Sequence, residues 1–116
     1  MTQFALIGTS GNSADYKDRT SEKFIRLKTS TARKTVDGIG CNNVRTEVIY
    51  NADSPITSGG RTGVDKLSIR VASSGSNLSY AAMASALADM AARMIALANA
   101  DAHKGFINVN PSVLDV

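Results

Sequence analysis

Tryptophan is absent from this 116-residue chain, cysteine and histidine occur once each, proline twice, and aromatic residues make up only 5% of it. Each scarcity removes a class of protein. A lone Cys41 excludes an intrachain disulfide framework and fits a reducing compartment, leaving only a bridge between chains open; its ordinary reading is a small residue in a turn. Cys41 and His103, both read as loop residues, offer no spacing for a metal site or a nucleophile with its base, so no metal and no cofactor are expected. The glycines in GTSGNS, DGIG and SGGRTG match neither a phosphate loop nor a dinucleotide fingerprint and read as turns. Apart from Asp15 and Asp18, no carboxylates are spaced as an acid and base pair, and the chain is not expected to be an enzyme or to take a small-molecule substrate. The opening MTQFALIG lacks a basic stretch and a long apolar run, and no segment is expected to approach the length of a membrane span, which predicts a cytosolic product with no membrane partner.

What is present is an ordinary globular composition, 43% hydrophobic and 20% charged, with few aromatics to fill a core. A single domain over residues 1–116 is expected, and its limited core favours an oligomer. The net charge of +3 is unevenly placed. Lys17, Arg19, Lys23, Arg26, Lys28, Arg33, Lys34 and Arg45 face only Asp18, Glu22 and Asp37 within one block, and the rest of the chain is slightly acidic. Such a block fits a polyanion, an acidic partner or a solvated surface.

Taken in order, Phe4 to Ile7 reads as a strand entering a turn at GTSGNS, with Ala14 to Thr20 returning, an N-terminal hairpin over residues 1–20. Sheet strands follow over 22–73. In Glu22 to Thr31, Ile25 and Leu27 alternate with Arg26 and Lys28, and Phe24 shares the basic side. A turn near Asp37-Gly38 leads to Val44 to Asn51, where Arg45, Glu47 and Ile49 oppose Val44, Thr46, Val48 and Tyr50. Asp53, Ser54, Pro55 and Gly59-Gly60 read as a loop. In Val64 to Val71, Leu67, Ile69 and Val71 alternate with Lys66, Ser68 and Arg70. After turn residues Ser73 to Asn77 the period changes: Tyr80, Met83, Leu87, Met90, Met94 and Leu97 form one helical stripe over 77–99. Ser76, Asn77 or Ser79 is the expected N-cap, Asp89 and Arg93 are spaced for an i,i+4 pair, and Asn110-Pro111 opens a short terminal helix over 110–116.

Strands first and helices last predict an α+β fold, an antiparallel sheet with helices on one face. The many alanines between Ala81 and Ala98 favour the helix and let another backbone approach, so the stripe is read as a surface for packing, on the chain's own sheet or on a partner. On the opposite sheet face Arg26, Lys28, Arg45, Lys66 and Arg70 share a parity, which makes them candidate contacts to RNA phosphates, with Phe24 or Tyr50 as a stacking ring.

This order of elements, and above all RVASSGSNLSYAAMASALADMAARMIALANADAHKGFINVNPSVLDV, resembles the coat proteins of single-stranded RNA bacteriophages, the leviviruses. The resemblance implies an intertwined dimer with one continuous sheet, each helix lying over the partner's half. It further implies assembly in the bacterial cytoplasm into an icosahedral T=3 virion capsid, the sheet facing packaged RNA, and in some members repression of translation through an RNA operator hairpin. The other reading of the residues is a small cytosolic RNA-binding module that does not assemble.

Overall fold

The computed structural model describes residues 3–99 and 116; the expected terminal helix at 110–116 and the loop around His103 lie outside the described residues, Val116 aside. Residues up to Leu78 form one unit, a five-stranded antiparallel sheet of β1 (Phe4–Ser10), β2 (Ser13–Asp18), β3 (Phe24–Val36), β4 (Ile39–Ser58) and β5 (Arg61–Ser76), in spatial order β1-β2-β3-β4-β5. A 3-10 turn at Asn77–Ser79 precedes the helix α1 (Tyr80–Asn99). The α+β class read from the sequence is the observed one.

Alternation built the strands, and turn chemistry set their lengths. Asp37 and Gly38 have φ of 48° and 81°, and Gly59 and Gly60 have φ of 58° and 76°, so each pair makes a two-residue turn whose twist matches the flanking strands. Pairing then runs without interruption from Val36↔Ile39 to Phe24↔Asn51, and from Ser58↔Arg61 to Asn43↔Ser76. The strands are therefore longer than expected. Asp53, Ser54 and Pro55 are ladder residues of β4 rather than a loop, because a turn as tight as Gly59-Gly60 leaves them opposite Lys66, Asp65 and Val64. Ser73 to Ser76 likewise belong to β5, opposite Thr46 to Asn43. Cys41 sits in β4, buried, rather than in a turn. The N-terminal hairpin is part of the same sheet through β2 and β3, and a bulge between Leu6 and Gly8 adjusts its register.

Among the described residues only Cys41, Val44 and Asp18 are buried, and no side chain is fully enclosed. One sheet face nevertheless carries two apolar rows, Leu6–Tyr16–Ile25–Tyr50–Ile69 and Ala14–Leu27–Val48–Val71, read directly from the register. Leu6, Leu27, Leu67 and Ile69 on that face are exposed in the single chain.

The second unit contains α1. Ser76 accepts the Leu78 amide at 3.0 Å and so caps the 3-10 turn that leads into α1, while Asn77 accepts the Asn42 amide. No helical residue is buried. Along the expected stripe Tyr80, Leu87, Met90 and Met94 are exposed, and Met83 and Leu97 are half-buried. Asp89 and Arg93 form the expected pair at 2.8 Å. Asn77–Asn99, 23 residues at mean hydropathy 1.4, is long and apolar enough to cross a membrane by length and composition, which corrects the expectation that no segment approaches that length.

Asp18 ties the β2–β3 connection: its carboxylate accepts from Ser21 Oγ at 2.6 Å and from the Thr20 amide at 3.1 Å. The Ser21 hydroxyl above all, then the Thr20 amide, hold its pKa below the usual carboxylate value. A lowered folded-state pKa stabilises fully above the unfolded value of about 4, and the contribution is lost as pH falls through the folded-state value. The protection factor of the Thr20 amide, its exchange rate relative to an unfolded amide at the same pH, should therefore fall on acidification, and Asp18→Ala should abolish that protection already at neutral pH. Gly38→Ala should cost about 1 kcal/mol in stability because of its left-handed backbone, whereas Gly40→Ala, with ordinary strand backbone and open space around its Cα, should be near neutral in the same denaturation assay.

Candidate nucleic-acid interface

Directly opposed residues of an antiparallel pair lie on the same face, so the register decides which side chains meet. Arg26 opposes Ile49, and Ile49 opposes Arg70; Lys28 opposes Glu47; Arg45 opposes Ser30; Lys66 opposes Asp53. With alternation along each strand, Arg26, Lys28, Arg45, Lys66 and Arg70 all fall on one face, the one opposite the apolar rows. Phe24 is on this face too, with the Arg26 guanidinium 5.5 Å from its ring centre. Tyr50 lies on the apolar face between Ile25 and Ile69, so it offers no ring to a ligand on the cationic side.

The sheet also brings carboxylates to these cations. Asp15 receives two hydrogen bonds from Arg26, at 2.7 and 2.9 Å, and these hold its pKa below the usual carboxylate range while raising that of Arg26. Lys66 meets Asp53 at 2.8 Å. Glu47 lies between two arginines, 3.1 Å from Arg70 and 3.9 Å from Arg45. No carboxylate pairs with Lys28 among the described residues. The face is thus a lattice of partly compensated charge, and its paired cations, from Arg26 at 43% to Lys66 at 77% side-chain exposure, are open enough to solvent for the pairs to exchange.

Sequence reading placed the five cations but missed the roles of Asp15 and Asp53. Asp53 sits in a stretch with the local pattern of a loop, and its pairing with Lys66 follows only from the continuous β4–β5 ladder. Asp15 and Asp18 are not an acid and base pair: Asp15 faces the cationic side opposite Arg26, while Asp18, three residues on in the same strand, faces the other side. Between the β1–β2 turn and the middle of the sheet lies a recess of about 300 Å³ lined by Asn12, Lys28, Thr29, Ser30, Arg45 and Glu47.

Glu47 engages Arg70 and places a negative charge near Arg45, so if this face binds a polyanion, Glu47→Gln should strengthen binding of a labelled single-stranded oligonucleotide severalfold and steepen its salt dependence. Fluorescence anisotropy titrations at two salt concentrations check this; weaker binding would show that Glu47 positions the arginines rather than competing for them.

No family model matches the chain, and no curated protein matches it. Among solved structures it is similar to the virus-like particle of bacteriophage PQ-465, with a TM-score of 0.77 and 26% identity over 98% of this chain and 94% of that one. It is also similar to the virus-like particle of bacteriophage ESE001, at a TM-score of 0.58 and 11% identity over 98% and 97%. A third, the virus-like particle of bacteriophage GQ-907, gives 0.58 and 18% over 97% and 85%. At such identities the last two speak for the fold alone. A sheet of five antiparallel strands followed by a long helix, matched over nearly its whole length, gives this chain the fold of bacteriophage virus-like-particle subunits, consistent with a phage coat protein.

Proposed function

We propose that the chain is a capsid protein that dimerises, assembles into an icosahedral shell and packages single-stranded RNA against its cationic sheet face. The observation that carries the reading is how little apolar surface the described residues enclose: in the sheet rows Leu6, Leu27 and Ile69 are exposed and the others only partly buried, and on α1 Tyr80, Leu87, Met90 and Met94 are exposed. Burying one such Leu, Ile or Met contributes about 2 kcal/mol, and an isolated domain of this size has little stability to spare. A second copy supplies complementary surfaces at once. The edge strand β5 presents sixteen residues, Arg61–Ser76, whose outer backbone groups are open to a partner strand among the described residues. Pairing there would give the continuous sheet of an intertwined dimer, with each helix laid over the partner's half.

The likeness to virus-like particles supports a structural role in a virion capsid and, with it, self-assembly. Our reading adds the homodimer, the quasi-equivalent T=3 shell, assembly in the host bacterial cytoplasm and RNA as cargo. Arg26, Lys28, Arg45, Lys66 and Arg70 are the proposed RNA contacts, through phosphates and hence without strong sequence preference. Repression through an operator hairpin belongs to the same reading as a secondary role. The competing module that binds RNA without assembling leaves the apolar surfaces unexplained.

Expression of the chain alone in bacteria should yield regular shells in the void fraction of a size-exclusion column, with absorbance at 260 nm exceeding that at 280 nm. A small included species would contradict the assembly reading, and nuclease-insensitive particles without nucleic acid would contradict RNA packaging. Leu87→Asp or Met90→Asp should abolish dimers and shells together, because a buried charge without a partner costs far more than the lost apolar contact.

A further inference from the structure

The recess beside the β1–β2 turn exists because β2 stops short. Its last pair is Ser13↔Lys28, while β3 continues to Val36, which leaves a step in the sheet. Gly11 and Asn12 close the step. The Thr29 amide donates to the Asn12 carbonyl at 3.1 Å, and the Asn12 side-chain amide donates to the Thr29 carbonyl, so the turn is fastened to β3 as a wall. Lys28, Ser30, Arg45 and Glu47 complete the lining, all from the cationic face.

Resting on the RNA-packaging reading, we propose that this recess is a subsite for one nucleotide of single-stranded RNA, its phosphate held between Lys28 and Arg45. A volume of about 300 Å³ is at the small end for ligand sites and admits a nucleotide-sized group rather than a longer segment. Its two cations are the least compensated of the five. Lys28 has no described carboxylate partner, and Arg45 stands 3.9 Å from Glu47, beyond hydrogen-bond reach, whereas Glu47 is engaged by Arg70 at 3.1 Å. The guanidinium of Arg45 thus keeps its donors for a phosphate. Glu47, with a side chain only 14% exposed, disfavours a second phosphate and accepts hydrogen bonds, which selects a group carrying one phosphate beside a ribose 2′-hydroxyl or a base amine.

The test uses the full-length protein purified free of nucleic acid and a fluorescein-labelled decauridylate, titrated by anisotropy at near-physiological salt. Lys28→Gln and Arg45→Gln should each weaken binding about tenfold. Lys66→Gln, on the same face but outside the recess, should cost about threefold or less, as one diffuse phosphate contact does. Arg61→Gln, on the opposite face, should leave affinity unchanged. Equal losses for Lys28, Arg45 and Lys66 would overturn the subsite while leaving the cationic face as the binding surface. If Arg61→Gln cost as much as the others, or if none of the four mattered, the face itself would be misassigned and the subsite would fall with it.

Discussion

The structure depends on one constraint: the chain makes apolar surface faster than it can hide it. Alternation along β2 to β5 gives a sheet with one apolar and one cationic face, and the period of α1 gives a helix with an apolar stripe, yet among the described residues hardly any side chain is buried. Such surfaces are stable only when water is excluded from them. On the proposed reading, a second copy does this, and folding and association become one process. The cationic face then need not contribute to the core and is left for the cargo.

That division of labour shapes the electrostatics. If the cations of the wet face stood alone, their mutual repulsion would oppose pairing of the strands that carry them. Asp15, Glu47 and Asp53 offset this by bridging to Arg26, Arg70 and Lys66, across neighbouring strands. Among the five cations compensation is weakest at Lys28 and Arg45. Exposed pairs of this kind contribute little to stability and can be traded for phosphates, so on the proposed reading the same residues serve the empty sheet and a bound polyanion.

Much of this was legible before the structure. Period-two patterning located the centres of β3, β4 and β5, and shared parity assigned all five cations to one face, because both depend only on local alternation. Asp37-Gly38 announced its own turn. The strand ends were not legible, since Asp53, Ser54, Pro55 and Ser73 to Ser76 carry turn propensity that the ladder overrides once register is fixed by Gly59-Gly60. For the same reason the ion-pair partners escaped notice: Asp15 meets Arg26 only through the β2–β3 register, a long-range fact that no local pattern encodes.

The most direct measurement is chemical unfolding of the protein at concentrations spanning about a hundredfold, followed by circular dichroism and paired with sedimentation velocity. If the apolar faces are completed by a second copy, the unfolding midpoint rises with protein concentration and no folded monomer sediments at any dilution. A concentration-independent midpoint together with a compact folded monomer would show that one chain satisfies its own surfaces, and would contradict the account.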